Sequence, residues 1–364
     1  MKFLFNLGHP AHFHLFKNVI TALSANGHQI AIVIKKKDVL EELLKKAGME
    51  YVNFQPAGRG DGRAAIALGL LKRDLRLFAF CRHFKPDLLI GTSVEISHVG
   101  KILGIPAVNV NEDDFDVVPL YSKLAYPWAS AILAPSCCRT GKWEHKTVHY
   151  HSYHELAYLH PHNFIPNPVV ADNYMPSDQP FFIMRFAKLT AHHDRGIRGI
   201  DSETAARLIG LLAPRGRVCI TAERELEKQF EPYRMDIDPA DMHQVMAHAS
   251  LYIGDSQTMA AEAGVLGVPF IRCNDFVGRI GYLAELEDKY QLGFGIKPGE
   301  PEKLIKTTRE LLEMRDLQDV FSKRRQNMLS EKIDAAKFLT WFIEEYPISL
   351  EVMKNNPDFQ FSFR

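Results

Sequence analysis

Residues 251–272, LYIGDSQTMAAEAGVLGVPFIR, leave few options for what this chain can fold into. The apolar run Leu251 to Ile253 has the length and character of a short buried strand. Gly254-Asp255-Ser256 interrupts it, and a small-residue helix is expected from Gln257 to Leu266. Gly267 closes that helix, and Val268-Pro269-Phe270-Ile271 starts the next strand. Strand, tight polar turn, helix, strand is a unit of a parallel sheet whose helix N-terminus faces the sheet's carboxyl edge. Backbone N–H groups there, helped by Ser256 and Thr258, can hold phosphate oxygens. Glu262, in a helix otherwise rich in Ala and Gly, offers a carboxylate able to take both hydroxyls of a ribose. The competing reading is an ordinary turn with a surface Glu.

The rest of the chain repeats that alternation. Phe3–Leu7, Gln29–Ile34, Tyr51–Phe54, Asp87–Gly91, Ala107–Val110 and Ala131–Ala134 read as strands. Helical patterns at His14–Asn26, Val39–Ala47, Ala64–Phe84 and Ser97–Leu103 separate them. A second series follows Pro180: Phe181–Phe186, Val218–Thr221, Leu251–Ile253, Phe270–Arg272 and Gly293–Ile296. Strands alternating with helices of this length imply doubly wound parallel sheets. The Pro- and Asn-rich stretch 161–180 suits a junction, giving domains at 1–165 and 166–364. The tail from Pro301 to Tyr346 reads as helical and stops at Pro347, with residues Asn355 to Arg364 loosely ordered or facing an oligomer partner.

The string Gly254 to Ala263 with Leu266-Gly267-Val268-Pro269 resembles the nucleotide-sugar half of GT-B enzymes. That group includes the lipid-linked N-acetylglucosaminyltransferase of peptidoglycan synthesis and the non-hydrolysing UDP-N-acetylglucosamine 2-epimerases. The string is more similar still to a GT-B-like family catalogued as domain of unknown function three-five-four. Further matches to it are Gly8-His9-Pro10, Lys85-Pro86-Asp87, Asn111 to Asp114, and Glu155 with Tyr158-Leu159. The resemblance implies two Rossmann-like domains with a cleft between them, and a final helix, near Lys332–Tyr346, crossing back onto the first.

Gly8 and Pro10 permit a sharp turn that aims His9 at the crevice, where it would bind an acceptor hydroxyl or act as general base; His12 is a weaker candidate. Helix entry with ordinary surface histidines is the alternative. Asn111-Glu112-Asp113-Asp114 follows the fifth strand, where the resembling epimerases carry a catalytic Glu, so Glu112 or Asp113 is the matching position. A solvated acidic helix cap would look the same. Two departures count against epimerase chemistry: Thr92 stands where those enzymes have Asp, and Arg185 where they have His. Arg185 and Lys188 instead supply cations near a pyrophosphate. The His192-His193-Asp194 stretch and Gly58-Arg59-Gly60-Asp61-Gly62 read best as surface loops, the latter with a lid as its alternative.

Lys plus Arg and Asp plus Glu both total 44, so charge gives no case for nucleic acid or an anionic membrane. The five cysteines lack framework spacing, which fits a reducing cytoplasm. Neither a signal peptide nor a transmembrane run is expected, leaving peripheral membrane contact open. His145, His149, His151, His154, His160 and His162 invite a metal reading, but Tyr158 replaces the second His of a zinc-protease helix, and no metal site is expected. The reading is therefore an α/β, GT-B-like protein. Its second domain would bind a nucleotide-diphosphate sugar, UDP-linked, through Gly254, Ser256, Gln257, Thr258, Glu262, Arg185 and Lys188. Gly8, His9, Glu112 and Asp113 of the first would meet a sugar or lipid-linked acceptor. Metal-independent glycosyl transfer in surface-polysaccharide or cell-envelope synthesis is the expected reaction, with no cofactor beyond the substrate. An epimerase or hydrolase of the 2-epimerase type, or a non-catalytic sugar-nucleotide binder, are the alternatives.

Overall fold

The computed structural model describes residues 1–56, 63–175, 179–187, 198–223 and 225–364. Gly58 to Gly62, Lys188 and His192 to Asp194 lie outside them. The chain divides into two compact units, Met1–Tyr158 with Ile333–Arg364, and Leu159–Lys332.

The first unit is built on seven parallel strands: β1 (Lys2–Leu7), β2 (Gln29–Lys35), β3 (Val52–Gln55), β4 (Leu88–Gly91), β5 (Ala107–Val110), β6 (Ala131–Pro135) and β7 (Thr147–Tyr150). Their spatial order is β3-β2-β1-β4-β5-β6-β7. The central strands are near-continuous apolar runs because crossover helices cover both faces; Phe3, Leu4, Phe5 and Leu7 are all fully buried. The first crossover helix, Pro10–Ala25, begins a turn earlier than its apolar periodicity implies. Pro10 occupies its first position, where a missing N–H costs nothing. The edge strand β7 is an addition to the sequence-based expectation. Its Val148 and Tyr150 are buried while Thr147 and His149 are only half-buried, and a four-residue alternation inside a histidine-rich stretch carries little signal.

The expectation of a loose C-terminal segment is corrected. A helix, Ile348–Asn355, follows Pro347, and Pro357–Phe363 forms a further helical turn. The rings of Phe359 and Phe363 lie 4.8 and 5.3 Å from Trp341, and Gln360 accepts the His151 N–H at 2.7 Å. Aromatic residues this close in sequence bury enough area to hold the chain end down. Helix Ala335–Glu344 belongs to the first unit, where Glu344 takes hydrogen bonds from Asn26 (2.9 Å) and pairs with His28 at 2.8 Å.

The second unit holds five parallel strands: β8 (Phe181–Phe186), β9 (Arg217–Ala222), β10 (Leu251–Gly254), β11 (Phe270–Cys273) and β12 (Gly293–Ile296). Their order is β12-β11-β10-β8-β9. Each sheet reverses direction once, between β1 and β4 in the first and between β8 and β10 in the second. At such a reversal the crossovers leave on opposite faces and open a crevice at the strands' carboxyl ends, where α/β proteins bind ligands. Among the described residues no helix is long and apolar enough to cross a membrane.

Candidate functional site

In the second unit the reversal brings Arg185 and Gly254 into register as neighbours at the ends of β8 and β10. The approach is close. A Cβ on Gly254 would meet the Tyr252 hydroxyl at 2.6 Å and the Arg185 backbone oxygen at 2.9 Å, so only glycine fits. Arg185 reaches sideways to pair with Glu223, just beyond β9. Asp255 is buried and accepts the Ala187 N–H at 2.6 Å, which ties the turn after β10 to the chain leaving β8. Asn274, also buried, backs the same turn by donating to the Asp255 carbonyl at 2.9 Å. Asp255 and Asn274 are structural parts of the site that sequence reasoning did not single out.

Helix Gln257–Leu266 begins and ends where its sequence predicts. Ser256 is its N-cap, the Oγ accepting the Met259 N–H at 3.4 Å, and Gly267 closes it with a positive φ of 84°. Acting as an acceptor in the cap, the Ser256 hydroxyl keeps its own hydrogen for another oxygen. The first amides of any helix have no partner inside it, and Gln257 and Thr258, both half-buried, stand at that position. Glu262 lies deeper than a surface residue. It is 4% exposed, and its Oε1 is 2.9 Å from Nε2 of His243, a buried residue of helix Met242–Met246. Burial pushes the Tyr252 phenol well above its usual range; Arg185 opposes the rise while Asp255 and Glu262 add to it. Tyr252 thus sits among the groups that surround this turn.

In the first unit, His9 is the N-cap of helix Pro10–Ala25, its Nδ1 accepting the Ala11 N–H at 3.2 Å. His12, one turn on, accepts the Gly8 N–H on its own Nδ1 at 3.1 Å. The two imidazoles therefore cap the helix much as a reciprocal capping pair does. A neutral ring with Nδ1 engaged as acceptor carries its proton on Nε2, so in both histidines Nε2 is the donor. His9 is exposed, and its ring lies 6.1 Å from that of His12. Lys35 passes over Gly8, where a Cβ would meet its Cε at 3.0 Å.

The acidic loop after β5 does not present three equivalent carboxylates. Asp114 turns inward and takes hydrogen bonds from the Arg139 N–H (2.9 Å) and Nε (3.0 Å). Glu112 and Asp113 remain half-buried at the strand end. Glu112 faces His154: one oxygen accepts the His154 N–H at 3.3 Å and the other is 3.4 Å from the ring Nδ1. His154 comes close because the segment after β7 returns to the first crossover helix, where Asn18 donates to the Ala157 carbonyl at 2.8 Å. Burial pulls the pKa of His154 down to about 3, with Asp113 opposing. Burial, with His9, Lys35 and His154 adding to it, likewise holds His12 well below its ordinary value. Both rings are neutral at physiological pH. Thr92 donates to the Val110 carbonyl, a strand-end bond that no local sequence signal indicates.

The fold matches solved structures along almost its whole length. A UDP-GlcNAc 2-epimerase from Neisseria meningitidis, bound to UDP-GlcNAc, aligns over 95% of this chain and 100% of its own, with a TM-score of 0.66 at 15% identity. The UDP-GlcNAc 2-epimerase of Methanocaldococcus jannaschii aligns over 86% and 94%, with a TM-score of 0.64 at 16% identity. The spinosyn rhamnosyltransferase SpnG, complexed with spinosyn aglycone, aligns over 94% and 100%, with a TM-score of 0.61 at 14% identity. These likenesses establish a GT-B fold. No curated protein matches the chain. A family model described as Protein of unknown function (DUF354) does match, over residues 1–290, and the chain belongs to that family.

Proposed function

We propose that the protein is a metal-independent glycosyltransferase using a UDP-linked sugar in surface-polysaccharide or cell-envelope synthesis. One observation carries the donor half of this reading: Arg185 and the capped helix N-terminus at Ser256 to Thr258 stand together at the β8–β10 reversal, and the same helix carries the buried Glu262. Helix amides and a guanidinium meet a pyrophosphate, and a carboxylate meets ribose hydroxyls. The similar structures bound to UDP-GlcNAc and to UDP agree in ligand class.

In the reaction an acceptor oxygen bonds to the anomeric carbon as the bond from that carbon to the phosphate oxygen breaks. The electron pair leaves on UDP, where Arg185 and the helix amides stabilise the charge. No cofactor enters. The acceptor's proton passes to a base, for which the first unit offers Glu112 and Asp113. His9 donates through Nε2 to an acceptor oxygen, and becomes a base only by giving up its bond to Ala11. Arg185 in place of the epimerases' His supports transfer over epimerisation. The five free cysteines, four of them buried, support a cytoplasmic setting.

Titrating the protein with UDP-, GDP-, CMP- and dTDP-sugars tests the assignment, with UDP-sugars expected to bind tightest. Glu262→Ala is expected to weaken UDP binding by about 1–3 kcal/mol, the cost of leaving buried hydroxyl partners unpaired. Unchanged affinity in that variant refutes the donor site. Chelation with EDTA is expected to leave UDP affinity and turnover intact; loss on chelation and recovery with a divalent metal would refute metal independence.

A further inference from the structure

Glu262 is buried in a helix whose neighbours Ala260, Ala261, Ala263 and Gly264 are buried too. An apolar side chain of similar volume would serve a purely structural position there at least as well, because a desolvated carboxylate is costly unless it is paired and hydrogen-bonded. The partner comes from another element, 19 residues back: His243, on the short helix that precedes β10. Carboxylate and imidazole are each under a tenth exposed, and the contact of 2.9 Å is a hydrogen bond in length. An ionised carboxylate only accepts, so Nε2 of His243 is the donor.

We propose that His243 is a positioning residue which fixes the Glu262 carboxylate for a vicinal diol, and so makes the site selective for ribonucleoside over 2′-deoxyribonucleoside diphosphates. This rests on the nucleotide reading of Glu262 given above. A carboxylate has about four lone-pair positions. His243 uses one on Oε1, which stops rotation about the last side-chain bond and pre-orients the group. Two further acceptor positions are what adjacent 2′ and 3′ hydroxyls require. A carboxylate free to rotate would still bind one hydroxyl, but it would pay an ordering cost to take both. Loss of His243 therefore removes discrimination more than it removes binding.

The measurement is calorimetric titration of the full chain with UDP and with 2′-deoxy-UDP, alongside thermal melting. The wild type is expected to prefer UDP about tenfold or more, the order of one lost hydrogen bond to a charged group. His243→Leu is expected to bring that ratio to within about threefold by weakening UDP selectively. His243→Gln, whose amide can donate from nearly the same place, is expected to restore most of the ratio. If His243→Leu fails to fold, His243→Asn takes its place, since its shorter amide keeps the core polar but falls short of Glu262, and the same collapse is expected. A ratio unchanged in the leucine or asparagine variant overturns the proposal, as does equal weakening of both ligands that glutamine does not rescue. Glu262→Ala separates the two claims. If it weakens UDP while His243 variants keep the ratio, only the positioning role falls; if it leaves UDP binding unchanged, the donor site falls with it.

Discussion

Between about pH 8 and about pH 5 the wild-type protein is expected to lose about 2 kcal/mol more stability in its first unit than a His154→Gln variant does. In the fold, burial holds the His154 pKa at about 3, whereas the unfolded chain takes up a proton near pH 6.5. The stabilising difference is complete above the unfolded value and falls as the pH drops toward the folded one, by at most about 1.4 kcal/mol per pH unit. Asp113 opposes the shift but does not cancel it. His12 is depressed in the same direction, by burial and by His9, Lys35 and His154, and adds to the acid loss in both proteins. All three tryptophans, Trp128, Trp143 and Trp341, lie in the first unit, so denaturant unfolding followed by tryptophan fluorescence reads that unit selectively. Parallel pH dependences in wild type and variant would show that His154 is no more depressed than a surface histidine.

Glu287→Ala is expected to destabilise the second unit by about 3–5 kcal/mol, the usual cost of stripping the partner from a buried charge. Arg272, at the end of β11, is completely buried. Its Nε and Nη2 are each 2.9 Å from one Glu287 oxygen, and Nη1 lies 3.4 Å from Asn274. Without Glu287 the guanidinium keeps its charge and loses its counter-ion in a site that water does not reach. Replacing both residues, as Arg272→Met with Glu287→Leu, is expected to recover most of the loss, since a buried ion pair is seldom better than well-packed apolar side chains. Thermal melting by circular dichroism checks both variants. A single variant as stable as wild type would mean that the guanidinium finds another partner. The pair also matters to the site: Asn274 links Arg272 to the Asp255 carbonyl, so the single variant should loosen the turn that precedes Ser256.

Much of the candidate site was legible because its chemistry is local. The cap at Ser256, the helix stop at Gly267 and the glycine between β10 and the turn are each encoded within a few residues. The meaning of Glu262 was only half legible. Its position on the helix follows from spacing, but its burial and its bond to His243 do not, because His243 gives no sign of its target in a stretch without strong periodicity. The same holds for the acidic loop. Three adjacent carboxylates look alike in sequence, yet Arg139 draws Asp114 inward and the return of the chain after β7 sets His154 against Glu112. For His9 the turn at Gly8 and Pro10 was legible, but its role as exposed helix cap, with Nδ1 taking the Ala11 N–H, was not.

By itself the sequence determined most of the strands and helices, though not β7 or the helical C-terminal end, and hence two doubly wound parallel sheets. Apolar runs, caps and glycine stops act over a few residues and need no distant partner. Tertiary structure alone decided the strand order, with its reversals at β1–β4 and β8–β10, and with it the register that sets Arg185 beside Gly254. Parallel neighbours are joined through crossovers rather than tight turns, so the residues that meet at a strand end come from segments far apart in the chain. The pairs His243–Glu262, Arg272–Glu287 and His154–Glu112 were fixed at that level. A buried charge must find its partner wherever packing brings one, and no pattern within either segment names it.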